Sequence, residues 1–160
     1  ETLSLVAEAE AVREAVKITG KPLWVSVTID DKPGAPGAEP ALRSGETVAE
    51  AARRASANDV EALLFNCSRP EAMEPAIRTA ASVFREHGNS PRIGVYANAF
   101  DEETDEKKAN DGLSGIRTEL NGDGYLGFAR AWTQAGATLV GGCCGIGVEQ
   151  IGRLARELKT

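Results

Sequence analysis

Long apolar runs are missing from this sequence of 160 residues. No stretch approaches the roughly 18 consecutive apolar residues that a membrane-spanning helix needs. The first residues, Glu1-Thr2-Leu3-Ser4, also lack the basic start of a secretion signal. These two absences predict a cytoplasmic protein that does not enter a membrane.

Positive charge is also scarce. Lysine and arginine together number 18 against 24 aspartates and glutamates, which gives a net charge of −6. No basic run offers a footprint for the phosphates of a nucleic acid, so we expect no nucleic-acid partner. With 42% hydrophobic residues, the chain can bury one ordinary core, and it is expected to form one domain or part of one.

Cysteine occurs only three times and histidine once. An odd number of cysteines fits a disulfide framework poorly, and it fits a metal site or a reactive thiol in a reducing compartment better. The histidine, His87, precedes Gly88 at the end of a predicted helix, where we expect it to cap the helix.

All three cysteines lie at the ends of apolar runs. Cys143 and Cys144 stand between glycines just after the run 137–140, and Cys67 comes shortly after the run 63–65. Side chains on a regular strand alternate between faces, so two adjacent cysteines reach one point only if the backbone leaves strand geometry. The flanking glycines permit that departure. We therefore expect the cysteines at the carboxyl ends of two strands.

Hydrophobic periodicity predicts helices that alternate with short apolar strands. The predicted helices cover residues 5 to about 20, 48–57, 70–87, 125–135 and 148–158, and the predicted strands cover residues 22–29, 60–65, 92–96 and 137–140. Two long segments, 30–45 and 99–123, are expected to be loops because glycine, proline or charged residues crowd them. Trp24 and Trp132 are interpreted as core residues.

This order predicts an α/β fold with a parallel sheet, built from a helix and four strand-helix units with right-handed crossovers. Polar residues concentrate after each strand, as in half of a (βα)8 TIM barrel, whose active sites lie at the carboxyl ends of the strands. An open doubly wound sheet is the alternative. Its dinucleotide-binding version is weakened because no Gly-x-Gly-x-x-Gly turn follows the first strand.

The start of the chain bears on domain organisation. Glu1-Thr2 directly precedes a helix and looks like the end of a strand that begins earlier. We therefore expect residues 1–160 to be the C-terminal half of a barrel whose N-terminal half is absent from this chain.

Several short motifs resemble the homocysteine S-methyltransferase family, and the resemblance spans essentially the whole chain. The motifs are Glu1-Thr2, Asn66-Cys67, Val95-Tyr96-Ala97-Asn98 and Gly141-Gly142-Cys143-Cys144, together with segments 26–31, 42–45 and 132–137. The resemblance implies a (βα)8 barrel in which Cys67, Cys143 and Cys144 hold zinc and Glu1 contacts the amino-acid substrate. The chain departs from the family at Ala97, where proline is usual, and after the cysteine pair, where threonine and proline are usual.

The chemistry that this resemblance implies is methyl transfer to homocysteine, which gives methionine. Zinc favours tetrahedral thiolate coordination, and three cysteines leave one position for the substrate sulfur. Bound there, the sulfur is held as a thiolate, whereas a free thiol with a pKa of about 8.5 is mostly protonated at neutral pH. The donor is expected to be a small sulfonium or betaine-type molecule, with S-methylmethionine favoured. Tyr96 offers an aromatic face to its positive charge, and Asn66 and Asn98 are expected to contact substrate.

Simpler interpretations of these residues stay open. The cysteines could be buried inert thiols, or form a disulfide in metal-free protein. Asn66 and Asn98 could do no more than satisfy backbone groups in turns. The alternative functions are a non-catalytic zinc-binding fragment that dimerises through open sheet edges, and a methyltransferase that acts on selenocysteine. A homo-oligomer, or pairing with the missing N-terminal half, would cover those edges.

Overall fold

The structure is a computed structural model that describes residues 1–32, 37–58, 60–89, 91–101 and 115–158. Within these residues, helices and strands alternate along the chain as predicted. The elements are α1 (Val6–Lys17), β1 (Trp24–Val27), α2 (Val48–Ala57), β2 (Ala62–Asn66), α3 (Pro70–His87), β3 (Arg92–Tyr96), a 3-10 turn (Thr118–Leu120), α4 (Gly122–Ala135), β4 (Leu139–Val140) and α5 (Val148–Glu157). The middle of the second predicted loop lies outside the described residues.

The four strands form one parallel sheet in the order β1-β2-β3-β4. The register places Ser26 beside Leu64, Leu64 beside Gly94, and Gly94 beside Leu139. Strands that follow one another in sequence order are typical of a (βα) barrel, whereas a doubly wound sheet reverses its order at a switch point. The predicted fold class is therefore confirmed.

The start of the chain lies beside β1. Leu3 forms a parallel bridge with Val27, in which its N–H donates to the Ser26 carbonyl at 3.0 Å and its carbonyl accepts from the Thr28 N–H at 2.8 Å. This pairing is the kind expected at the end of a strand, and it brings Glu1 and Thr2 close to the carboxyl end of the sheet.

The two faces of the sheet have different surroundings. One face, with residues such as Val27 and Phe65, packs with the helices in a core that includes the fully buried Trp132. Because side chains alternate along a strand, the opposite face carries Ser26 and Asn66, which are polar and buried. Functional polar groups are thus confined to one face and to the strand ends.

Local capping explains where two of the helices begin. The Thr47 hydroxyl accepts from the Glu50 N–H at the start of α2, which satisfies one of the unpaired donors of the first turn. The Asn121 side chain accepts from the N–H groups of Asp123 and Gly124. For this reason α4 begins at Gly122, three residues before the predicted start.

Trp24 is not a core residue, contrary to the prediction, whereas Trp132 is. Trp24 is 47% exposed because it is the first residue of β1, at the amino end of the sheet, and it points away from the helix-covered face. Its indole N–H donates to Glu61 Oε1 at 3.1 Å, and the Arg92 guanidinium lies 5.8 Å from the ring centroid. The strand is also shorter than predicted, since Ile29 pairs antiparallel with Leu42 instead.

None of the helices in the described part of the chain is both long enough and apolar enough to cross a membrane.

Candidate metal centre

The chain continues past β4 alongside the end of β3 and then turns sharply at the two cysteines. The Gly141 N–H donates to the Val95 carbonyl at 2.8 Å, and the Cys143 N–H donates to the Ala97 carbonyl at 2.9 Å. Gly145 has a φ of 78°, which L side chains rarely adopt. These features let adjacent cysteines turn towards one point, as the flanking glycines predicted.

Close packing excludes side chains at the glycines of this turn. A Cβ on Gly142 would lie 2.2 Å from Ile146 Cγ2, and a Cβ on Gly145 would lie 3.0 Å from atoms of Ala99 and Ile116. Tyr125 stabilises the turn through a hydrogen bond in which its hydroxyl donates to the Gly141 carbonyl at 2.8 Å. The sequence analysis missed this role of Tyr125, because its position in a helical pattern indicates only burial.

Cys67 reaches the same point from the end of β2 through an unusual backbone conformation. Its φ is 50°, a left-handed value that costs a residue with a Cβ about 1–2 kcal/mol. The Cys67 N–H donates to the Tyr96 carbonyl at 3.2 Å, and its own carbonyl accepts from Arg43 Nη2 at 3.0 Å. Backbone strain of this kind concentrates at functional sites.

The three thiols form one cluster from two distant segments. The Sγ of Cys144 lies 3.9 Å from that of Cys67 and 3.8 Å from that of Cys143, and all three sulfurs lie within 4.8 Å of one another. Three sulfurs bound to a tetrahedral zinc at about 2.3 Å would be separated by about 3.8 Å. The donor set and its spacing therefore fit a tetrahedral metal ion that prefers soft ligands.

Burial makes two of the three thiols, Cys67 and Cys143, harder to deprotonate. Burial, with a further contribution from the neighbouring thiols, raises the pKa of Cys67 to about 12. Burial also raises the pKa of Cys143. A divalent cation would reverse this preference, because metal ligation requires the thiolate form and stabilises it.

Glu1 and Tyr96 form a polar pair on the open face of the sheet. The Tyr96 hydroxyl lies 3.0 Å from Glu1 Oε1 and is also hydrogen-bonded to Ser26 Oγ. Burial and the adjacent Glu1 carboxylate raise the pKa of Tyr96 to about 12. The phenol therefore stays protonated at neutral pH and can hold the carboxylate in place.

Asn66 has a buried oxygen without a hydrogen-bond partner in the described residues. Its Nδ2 donates to Thr2 Oγ1 at 2.9 Å, while its Oδ1 is buried and unpaired. An unpaired buried oxygen costs roughly 1–3 kcal/mol unless a ligand or water supplies a donor. Thr2 itself has a φ of 60°. Among the described non-glycine residues, only Thr2 and Cys67 have a positive φ, and both lie at this site.

Asn98 has a structural role in the turn after β3. Its Oδ1 accepts from the Phe100 N–H at 3.2 Å, and its own N–H donates to the Ser68 carbonyl at 3.1 Å. Both bonds satisfy backbone groups, which is the simpler of the two interpretations of this residue. Asn98 also lines an open pocket beside Cys67.

This pocket has a volume of about 560 Å³. Besides Cys67 and Asn98, it is lined by Asp30, Asp31, Lys32, Arg43, Arg69, Phe100 and Asp101. The sequence analysis did not assign Arg43 to the site, because nothing in its local pattern indicates that a loop between β1 and α2 reaches Cys67.

Comparison with known proteins gives one consistent result. A family model described as homocysteine S-methyltransferase matches residues 1–158. The chain is 28% identical to homocysteine S-methyltransferase 4 of Zea mays and 31% identical to homocysteine S-methyltransferase 1 of Arabidopsis thaliana. Each match covers 99% of this chain, but only 43% and 45% of the respective relative. The chain therefore spans less than half the length of these relatives.

A solved structure shares the fold. The crystal structure of the homocysteine methyltransferase MmuM from Escherichia coli, in its oxidized form, aligns with 96% of this chain at a TM-score of 0.66. The sequence identity is 22%, and the alignment covers 42% of that protein.

Proposed function

The chain belongs to the homocysteine S-methyltransferase family, and from this we propose that it forms part of an enzyme that methylates homocysteine to methionine. The observation that carries the proposal is the convergence of three cysteine sulfurs within 4.8 Å. We also propose that residues 1–160 are the C-terminal half of a (βα)8 barrel. The matched fraction of each relative, 43% and 45%, supports the half-barrel part of this second proposal.

Cys67, Cys143 and Cys144 would hold a zinc ion, and the sulfur spacing described above supports this assignment. Zinc bound there would keep the homocysteine sulfur in its thiolate form, the nucleophilic form, at neutral pH. The chain's contribution is to hold three cysteine sulfurs close together before the metal or the substrate binds. The turn of residues 141–145 fixes two of them, and the strained end of β2 fixes the third.

The proposed transfer is a single displacement. The homocysteine thiol gives up its proton to solvent, and an electron pair on its sulfur forms a bond to the methyl carbon of the donor. The bond between that carbon and the donor's sulfonium sulfur breaks, and its electron pair stays on the donor. The donor leaves as a neutral thioether, so S-methylmethionine would give a second molecule of methionine.

Two groups at the site suit the amino-acid end of homocysteine. The Glu1 carboxylate, held by the Tyr96 hydroxyl, can accept hydrogen bonds from the substrate ammonium. The unpaired Oδ1 of Asn66 can accept another if the substrate or a bound water reaches it. The Tyr96 ring offers a face to a positively charged donor.

The direct test is methionine formation by the complete barrel protein, from homocysteine and S-methylmethionine, with zinc content measured on the same samples. We expect Cys143→Ser to abolish both zinc binding and transfer. Ser82→Ala is the control, because it loses only a contact to Glu86 on the solvent side of α3. It should keep both zinc binding and methyl transfer. If zinc-loaded protein transfers no methyl group from any sulfonium or betaine donor, the proposed activity is wrong. Selenocysteine offered in place of homocysteine tests the alternative acceptor.

A non-catalytic assembly role is the second candidate, because one edge of the molecule exposes apolar groups. Val148 and Ile151 of α5 are 92% and 40% exposed, and both residues of the neighbouring β4 are only partly buried. Two measurements distinguish the candidates: sedimentation of residues 1–160 by themselves, and methyl transfer after they are joined to the N-terminal half. A stable dimer that binds zinc but supports no transfer when joined to its N-terminal half would favour the assembly role.

A further inference from the structure

The pocket beside Cys67 carries charges of both signs. Asp30 and Asp31 line it together with Arg43, which reaches it from the loop between β1 and α2. Its volume of about 560 Å³ is typical of small-molecule sites. Neither Glu1 nor Tyr96 is among the residues that line it. A second ligand could therefore occupy the pocket while homocysteine lies against Glu1.

Arg43 is held in place by the backbone. Leu42 is fully buried, and the Arg43 N–H donates to the Thr28 carbonyl at 3.3 Å. The guanidinium then donates through Nη2 to the carbonyl of Cys67 at 3.0 Å. A guanidinium has five N–H donors, so most of them remain available on a side chain that already points to the cysteine cluster.

The charge of Arg43 is not neutralised by any carboxylate of the described residues, although three aspartates, Asp30, Asp31 and Asp101, line the same pocket. Asp31 is engaged elsewhere: its Oδ2 accepts from the Arg69 N–H at 2.7 Å. Within the described residues, the Asp30 carboxylate accepts only from the Lys32 N–H, at 3.2 Å, and Asp30 is exposed. Arg43 and Asp30 thus supply a cation and an anion on the wall of this pocket, and together they can bind a ligand of the opposite charges.

We propose that Arg43 and Asp30 are specificity-determining residues for the methyl donor: Arg43 binds the carboxylate of a zwitterionic sulfonium donor, and Asp30 binds its ammonium. A guanidinium matches the planar, two-oxygen geometry of a carboxylate. A trimethylammonium betaine also has a carboxylate, but its nitrogen has no N–H for Asp30. This inference rests on the proposed methyl transfer and assigns two specificity-determining residues to the same site.

The test compares Arg43→Gln with wild type in the complete zinc-loaded protein, using three donors. They are S-methylmethionine, its methyl ester, and glycine betaine. We expect Arg43→Gln to raise the KM for S-methylmethionine by about 10- to 100-fold, as the loss of a hydrogen bond between charged groups does. The KM for homocysteine and the zinc content should not change. The methyl ester, which lacks the carboxylate, should bind wild type and variant almost equally, and glycine betaine should be a poor donor for both.

Equilibrium binding of S-methylmethionine, followed by calorimetry, provides a readout that does not depend on turnover. The affinity for S-methylmethionine should fall by the same factor as the KM rises in Arg43→Gln, and it should partly recover in Arg43→Lys. Arg85→Gln is the matched control, because Arg85 is also an exposed arginine that donates to one backbone carbonyl. Asp30→Asn should weaken binding of S-methylmethionine but not of dimethylsulfoniopropionate, which has a carboxylate and no ammonium.

The outcomes separate this inference from the proposed function. If wild type transfers the methyl group and Arg43→Gln does so with an unchanged KM, the inference is wrong and the proposed function stands. Failure of wild type to bind S-methylmethionine at all also overturns the inference. Binding that depends on Arg43 without any transfer would support the inference and contradict the proposed function.

Discussion

The two ends of the parallel sheet differ in how well their polar groups are satisfied. At the amino ends, Trp24, Glu61 and Arg92 satisfy one another through a hydrogen bond and a cation–π contact. At the carboxyl ends, Asn66 has an unpaired buried oxygen, and Cys67 has a strained backbone. The three thiols also lie close together there, and burial raises the pKa of Cys67 and of Cys143.

This difference indicates what each end does for the protein. Unpaired and strained groups reduce the stability of the folded chain, and they persist where a ligand supplies the missing partner. Groups that pair within the chain contribute to stability alone. Substitutions of the unpaired, strained or clustered groups at the carboxyl ends should therefore change ligand binding more than folding. Substitutions of paired groups should change the free energy of unfolding only, and by little at the amino ends.

The largest effect is expected at the cysteine cluster. Cys144→Ser should lower the zinc affinity of the chain by at least about 100-fold, because loss of a ligand costs no less than loss of a residue that merely orients one. Cys144 is exposed, so the free energy of unfolding of the metal-free chain should stay within about 0.5 kcal/mol. Zinc affinity is measured by competition with a chromophoric chelator. Affinity equal to that of wild type would exclude Cys144 as a ligand.

The fold was largely predictable because each element has its own local signal. Apolar runs between glycine and proline marked the strands, and their alternation with helices required a parallel sheet. The errors fall where tertiary contacts decide. Trp24 lies between the apolar residues Leu23 and Val25 in the sequence, yet its position as the first residue of β1 leaves it 47% exposed. The start of α4 depends on the Asn121 side chain, which the helical periodicity does not include.

The candidate site was predictable only in part. Glycines beside Cys143 and Cys144 indicated a turn that brings two thiols together, and the structure places Cys67 within the same cluster. Arg43 could not be found in this way. Its approach to Cys67 depends on how a loop from the neighbouring unit folds over the end of β2, and residue types 24 positions apart carry no signal of that contact.

The next largest effect concerns a satisfied pair at the carboxyl ends. Arg117 contacts both carboxylate oxygens of Glu71, at 2.7 and 3.0 Å. Glu71→Gln should reduce the free energy of unfolding by about 1 kcal/mol at pH 7, the upper range for a partly exposed pair. Glu74→Gln is the control, because Glu74 pairs with Arg78 on an exposed helix face. Loss of the Glu74–Arg78 pair should reduce the free energy of unfolding by about half as much as Glu71→Gln does, or less.

This pair should also depend on pH. Partial burial raises the pKa of Glu71, but the hydrogen bonds from Arg117 outweigh that effect and hold the pKa below its usual value of 4.5. A carboxyl with a depressed folded-state pKa stabilises the fold above its unfolded pKa, and the stabilisation is lost as pH falls through the folded-state pKa. The difference between wild type and Glu71→Gln in urea unfolding should therefore be full near pH 7 and disappear at strongly acidic pH. A difference that is independent of pH would contradict the ion pair.

A smaller effect is expected from relief of the strain at Cys67. Cys67→Gly should raise the free energy of unfolding of the metal-free chain by about 0.5 kcal/mol. The relief of a left-handed backbone exceeds the extra entropy that glycine has in the unfolded chain. Cys67→Ser keeps the Cβ and serves as the control, and both variants should lose zinc binding. If Cys67→Gly is no more stable than Cys67→Ser in urea, the strain at this position is not a cost to folding.

The smallest effect is expected at the amino ends. In Glu61→Gln, the amide oxygen can still accept from the Trp24 indole N–H, now 3.1 Å from Glu61 Oε1. The free energy of unfolding should therefore change by less than about 0.5 kcal/mol, and the zinc affinity should not change. Tryptophan fluorescence during urea unfolding measures the free energy of unfolding, and chelator competition measures the zinc affinity. Because Glu61 and Cys67 flank the opposite ends of β2, a change in zinc affinity here would show that the two ends are coupled through β2.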